Sequence, residues 1–164
     1  MASTTDQNYE QLSYGGGLSQ HKGAARRIIG DAVATRQLTA KESGSLCLFD
    51  RAAGVVYTLP TPVIGMQFEF ATTVTITSNA AKVITKTPAS EFILGMAQVV
   101  GGTTESTVSA DFNGTTHVAA SSNGTTTGGV IGDRYRLTAI SATQWVIDGI
   151  FSGSGTVATP AATS

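Results

Sequence analysis

Met66-Gln67-Phe68-Glu69-Phe70 alternates apolar and polar side chains without a break. A period of two sends successive side chains to opposite faces of a strand, so one face is buried and the other is not. Val74-Thr75-Ile76-Thr77, Tyr135-Arg136-Leu137-Thr138 and Gln144-Trp145-Val146-Ile147-Asp148 carry the same alternation. Short clusters of Gly, Asn, Ser and Pro separate these runs. That is the punctuation of an all-β domain with antiparallel pairing, not of an α/β enzyme.

Working outward, residues 46–50 and 55–59 read as two strands of a hairpin around Asp50-Arg51-Ala52-Ala53-Gly54. Pro60-Thr61-Pro62 ends that ladder, because proline has no N–H to give it. Strands are expected over 66–71, 73–77, 82–86 and 92–100, and Asn113-Gly114 and Asn123-Gly124 read as tight hairpin turns. Residues 106–112 and 117–121 are weakly apolar and suit edge strands or exposed loops. Residues 134–140 and 144–151 form the clearest hairpin, closed by Ser141-Ala142-Thr143. No internal repeat is expected. The whole is an antiparallel β-sandwich or jelly-roll-like barrel.

Three regions follow: an extended N-terminal arm at 1–34, a β-sandwich domain at 35–152, and a short flexible tail at 153–164. The arm holds Gly15-Gly16-Gly17 and little alternation. Within it, Ala24, Ala25, Ile28, Ile29, Ala32 and Val33 fall at helical spacing, yet a first strand through Arg27-Ile28-Ile29 fits as well. The tail, Gly153-Ser154-Gly155-Thr156-Val157-Ala158-Thr159-Pro160, loses the pattern.

With 164 residues the chain is long enough for one domain with a core that needs no metal or disulfide. Charged residues reach only 13%, about half the usual share. Threonine and other small residues fill the gap. Low surface charge lowers the desolvation cost when a partner covers the surface. A net charge of −1 leaves no electrostatic footprint for nucleic acid. The polar N-terminus has no apolar h-region and no run is long enough to span a membrane, so synthesis in a cytoplasm is expected. Cys47 is the one cysteine; in Leu46-Cys47-Leu48-Phe49 it reads as a small core or interface residue.

Chemistry has few footholds. His21 and His117 have no metal-ligand neighbours at the spacing zinc requires. Asp111-Phe112-Asn113-Gly114 lacks the further oxygens of a calcium loop and suits a turn instead. The two Asn-Gly-Thr sequons read as turns as well. Trp145, Phe68, Phe70, Phe92, Tyr135 and Phe151 read as core or subunit contact. Eleven acidic residues are scattered without visible pairing, so the expectation is no enzyme, no cofactor and no metal. His21, Lys22, Arg26 and Arg27 form a small basic cluster suited to an acidic protein surface.

Two stretches carry a resemblance. Leu38-Thr39-Ala40-Lys41-Glu42-Ser43-Gly44, leading to Leu48-Phe49-Asp50 and Tyr57-Thr58-Leu59-Pro60, resembles a module of tailed-bacteriophage virion proteins. Tyr135-Arg136-Leu137-Thr138-Ala139 through Gln144-Trp145 to Gly153-Ser154-Gly155-Thr156 resembles the closing hairpin and tail of the same proteins. The resemblance implies a capsid decoration (cement) protein, or a related head or fibre component, assembled as a homotrimer in the host cytoplasm and residing on the capsid exterior. It brings over no catalytic residues.

The expected partner is then the major capsid protein, gripped by an arm that orders across neighbouring subunits. Tyr9, Tyr14, Leu18, Arg26, Arg27, Ile28 and Ile29 are the expected gripping residues, since Tyr and Arg are favoured interface types and the rest supply apolar area. The alternative is a tail-fibre or head-fibre module that binds host-surface glycan. That reading needs aromatics in the loops near Asn113 and Asn123, where only Phe112 stands.

Overall fold

A computed structural model describes residues 26–30, 33–102 and 107–164. Among these residues twelve strands run in order: β1 (Ile28–Ile29), β2 (Thr35–Gln37), β3 (Leu46–Phe49), β4 (Val56–Thr58), β5 (Gln67–Thr72), β6 (Ala81–Ile84), β7 (Phe92–Gly101), β8 (Thr107–Asn113), β9 (Ala119–Ser122), β10 (Arg134–Ala139), β11 (Gln144–Gly153) and β12 (Ala161–Ala162). A single 3-10 turn, Ala40–Glu42, is the helical element among the described residues. The strands form a seven-stranded sheet in the order β1-β3-β5-β10-β11-β7-β8 and a five-stranded sheet in the order β12-β9-β6-β4-β2.

The all-β class stands, but the sheets are mixed, not antiparallel, and neither closes into a barrel among the described residues. From β1 to β6 the chain alternates between the two sheets, so β1, β3 and β5 pair in parallel in one and β2, β4 and β6 in the other. The first part of the domain therefore winds like a short flattened coil. Antiparallel pairing begins after it, in β7–β8, β5–β10–β11 and β6–β9–β12.

The expected hairpin at 46–59 is the clearest correction. Its strands exist, but β3 lies in the seven-stranded sheet and β4 in the five-stranded one. Gly54 explains the crossing. At φ +79 it presses against Ala80 so closely that a Cβ would stand 2.3 Å from the Ala80 carbonyl oxygen. The link is thereby held against the approach to β6, and the next strand pairs there instead of folding back on β3.

The Asn-Gly pairs are likewise not tight hairpins. Asn113 Oδ1 accepts the amides of Thr115 and Thr116 at 3.0 and 2.9 Å, and Asn123 Oδ1 accepts those of Thr125 and Thr127 at 2.9 and 3.1 Å. A side chain that collects successive amides curls the chain into a wider loop, and each loop carries it from one sheet to the other. Val74-Thr75-Ile76-Thr77 is irregular despite its alternation, with Ile76 alone in the core. The closing hairpin β10–β11 stands as expected, in register from Arg134↔Ile150 to Ala139↔Trp145.

The tail does not hang free. Val157 is buried, and Ala161–Ala162 adds a strand to β9 after Pro160 accepts the Ser121 amide at 2.8 Å. Small side chains and Val157 let the segment lie flat, a signal too weak for periodicity to show.

Between the sheets lies one core. Phe49, Tyr57, Phe68, Phe70, Phe112, Trp145 and Phe151 are all 1% exposed or less. Tyr135 stacks on Phe70 at 5.2 Å and leans on Phe151 at 4.8 Å, and Phe49 meets Tyr57 edge-on at 5.4 Å. Burying each such ring contributes about 1.5–3 kcal/mol.

Candidate functional site

The outer face of the seven-stranded sheet is covered by no other described element, and its side chains can be read off the register. One row crosses all seven strands: Ile28, Leu46, Glu69, Arg136, Asp148, Met96 and Asp111. The centre of the row is charged. Arg26 and Arg134 both pair with the Glu69 carboxylate, and Arg136 Nη2 meets Asp148 Oδ2 at 2.9 Å. The Arg134 hydrogen bond, and after burial the weaker one from Arg26, hold the Glu69 carboxyl below its ordinary value, although burial alone would raise it.

On either side of this charged centre the face turns apolar. Ile28 is 62% exposed at one edge; Ile150, Met96 and Val100 are 55%, 63% and 40% exposed toward the other. A shallow groove of about 550 Å³ runs across the middle, lined by Glu69, Arg134, Arg136, Asp148, Ile150 and Ser152. Paired charges flanked by aliphatic side chains on an uncovered sheet face are chemistry that suits contact with another protein surface. Among the described residues, no three of His, Cys, Asp and Glu are gathered as ligands for a metal.

Of the residues expected to grip a partner, Tyr9, Tyr14 and Leu18 lie outside the described residues, as do His21 and Lys22. The structure places the other four at the sheet edge, where Ile28–Ile29 is a strand, not a helix. Arg26 turns onto the outer face, donating from Nε to the Gly44 carbonyl at 2.6 Å besides its pairing with Glu69. Arg27 donates to Glu42 at 3.0 Å, and Ile29 is 3% exposed in the core. Only Ile28 directs an uncommitted side chain to the outside.

Glu42 ties this corner together. Its carboxylate accepts from Arg27, from Arg36 at 2.9 Å, and from the Thr39 amide at 2.8 Å. Burial pushes its carboxyl up, but the Thr39 amide and the Arg36 guanidinium outweigh that and leave it below the ordinary value. Arg26 and Arg27, the described part of the basic cluster, thus meet acidic groups of their own chain.

Trp145 is fully buried, and so are Phe68, Phe70 and Phe151, leaving none of them open to stack on a sugar. His117 packs edge-on against Phe112 at 6.0 Å, with its Nδ1 accepting the Asn113 amide at 3.1 Å. Asp133, not singled out in the sequence, is buried with its carboxylate on the amides of Gly129 and Ser152, each at 2.7 Å.

The sequence does signal part of the face. Alternation in Tyr135-Arg136-Leu137 puts Arg134 and Arg136 on one side, and Glu69 between two phenylalanines is equally forced outward. Which strands lie side by side is invisible to that pattern, so the row could not be assembled from it. No protein-family model, no curated protein and no solved structure matches this chain.

Proposed function

We propose that this chain is a structural virion protein that binds the outer surface of a phage capsid and stabilises it. The domain works as a homotrimer, and its N-terminal arm reaches across neighbouring capsid subunits. The phage assignment rests on the resemblance of residues 38–60 and 135–156 to virion modules. The observation that carries the mode of binding is the position of Arg26. It lies at the rim of the uncovered sheet face with its guanidinium on Glu69, so residues 1–25 lead off from the edge of that face.

Fully extended, 25 residues reach on the order of 80–90 Å, far beyond the width of seven strands, roughly 30 Å. A segment of that length is long enough to join this domain to an adjoining subunit. Several modest contacts joined in this way raise avidity without any single strong one.

The test is saturable binding of the purified chain to expanded heads that lack it, beside a variant without residues 1–25. Tight binding that weakens with the arm removed supports the clamp. Equal binding by both moves the contact onto the folded domain or its tail. No binding by either overturns the capsid reading, and specific retention of a sugar on a glycan array would put a fibre module in its place.

A further inference from the structure

Val63-Ile64-Gly65-Met66-Gln67-Phe68-Glu69-Phe70 and Val130-Ile131-Gly132-Asp133-Arg134-Tyr135-Arg136-Leu137 are one phrase written twice. The expectation of no internal repeat is therefore corrected. The pattern escapes notice because only Val-Ile-Gly is identical; of the five positions that follow, four keep their polar or apolar character and one does not, Met66 standing where the other copy has Asp133. In space the two copies are antiparallel neighbours: Phe70 pairs with Tyr135, Glu69 with Arg136 and Phe68 with Leu137. Glu69 and Arg136 are the same position of the two copies, so a local twofold axis passes between them.

The hydrogen bonds obey that axis. Gly65 donates to the Ala139 carbonyl and Gly132 to the Thr72 carbonyl, both at 2.9 Å. Ala139 returns a bond to Met66 at 2.8 Å, and Thr72 one to Asp133 at 3.0 Å. Each Val-Ile-Gly turn is closed in the same way, Met66 to Val63 at 3.0 Å and Asp133 to Val130 at 3.1 Å. The glycines, at φ +87 and +100, are required by this geometry.

The isoleucines are not. Their position in the turn accepts almost any residue, and a polar one would be at home there. Yet Ile64, 74% exposed, is the most exposed large apolar side chain among the described residues, and Ile131 is 63% exposed. Val63 and Ile140 extend the first tip, 60% and 45% exposed, and Val74 stands near the second, 38% exposed, beside the Thr75 hydroxyl that accepts the Ile131 amide. The tips sit at opposite ends of the β5–β10 ladder, on the order of 30 Å apart at about 3.3 Å per residue.

We infer that these two Val-Ile-Gly tips are equivalent contact points, each seating its isoleucine in an apolar socket of a partner that presents that socket repeatedly, a lattice of identical protein subunits. Two matching tips at the two ends of one rigid ladder fit a partner that repeats. A second copy of this chain fits worse. The groove on its sheet face is lined by Glu69, Arg134, Arg136 and Asp148, whose charges an inserted isoleucine would strip of water. The inference rests on the capsid reading above and names the residues through which the domain itself would touch the lattice.

The experiment compares the full chain with Ile64→Ser, Ile131→Ser and the double variant in binding to heads that lack the protein. Both side chains are exposed, so urea midpoints should stay at the unmutated value. Each single variant should weaken binding by a similar factor, about a hundredfold, the low end of what linking two sites adds, and the double should abolish saturation. Equal binding by all four overturns the inference and leaves the capsid reading intact. Loss from only one tip overturns the equivalence. Failure of the unmutated chain to bind removes the capsid reading and this inference with it. Self-association of the chain that Ile64→Ser abolishes in sedimentation would make the occupant a second copy, which also overturns it.

Discussion

The Tyr57 hydroxyl, carried by the five-stranded sheet, donates to the Leu48 carbonyl of the seven-stranded sheet at 2.8 Å. The two residues flank a link that crosses between sheets, so the bond fixes how the first coil of the chain closes. Among the Phe49 and Phe70 rings it is the shorter of two bonds from this hydroxyl, the other going to the Ile29 carbonyl at 3.4 Å. Tyr57→Phe should lower stability by about 1–2 kcal/mol and Tyr57→Ala by about 3–5 kcal/mol, since the latter also leaves a cavity. Urea unfolding followed by Trp145 fluorescence measures both. A Tyr57→Phe variant as stable as the unmutated chain would show the bond to be incidental.

Acid should act on this protein through opposed groups. Glu42 and Glu69 have folded-state values below 4.5, so their contribution is complete above that pH and lost as pH falls through the folded values. Asp133 runs the other way. Burial raises it above 3.8 in spite of the amides of Gly129 and Ser152, so the folded chain holds that proton more tightly than the unfolded one. Its ionisation therefore subtracts stability as pH rises from 3.8 through the folded value. Urea midpoints between about pH 3 and pH 6 should fall toward acid in the unmutated chain. Glu42→Gln should flatten that fall, and Asp133→Asn should steepen it.

Cys47 is fully buried, and burial, with the Glu42 charge behind it, pushes its thiol up to about 12. Only the thiolate attacks a disulfide reagent, so the folded chain should be inert to one at about pH 8 and react at the rate of unfolding. Stopped-flow labelling across a urea series checks this. Rapid stoichiometric labelling without denaturant would contradict the burial.

How much of this was legible beforehand depends on the kind of signal. Phe68, Phe70, Tyr135, Leu137 and Trp145 announced their inward face by alternation, and each is in the core. Pairing was not announced, because a period of two is the same in parallel and antiparallel sheets. The hairpin reading of 46–59 therefore failed at the link, where Gly54 and its contact with Ala80 decide the path. Thr75 and Ile76 failed differently. They alternate like a strand, but Ile76 bonds to the Gly129 carbonyl at 2.9 Å inside a loop. For the surface, Arg134 and Arg136 were readable as outward, while Met96 and Ile150 joined them only through the parallel pairing of β7 with β11.

The boundary of the arm can be tested by where truncation begins to cost stability. The sequence set it at residue 34, yet Arg26, Arg27 and Ile29 all belong to the folded domain. Ile29 fills the core at 3% exposure, Arg27 reaches Glu42, and Arg26 reaches Glu69. Removing residues 1–25 should leave the urea midpoint where it is. Removing 1–34 takes out β1 and uncovers the outer edge of β3, leaving Glu42 with Arg36 and Glu69 with Arg134. The expected loss is about 3–5 kcal/mol, most of it from the buried isoleucine and the unpaired strand edge. A binding defect in the longer deletion would therefore report damage to the domain as much as loss of a grip, and only the shorter one isolates the arm. Equal stability of the two truncations would mean that β1 adds nothing to the fold and that the arm does extend to residue 34.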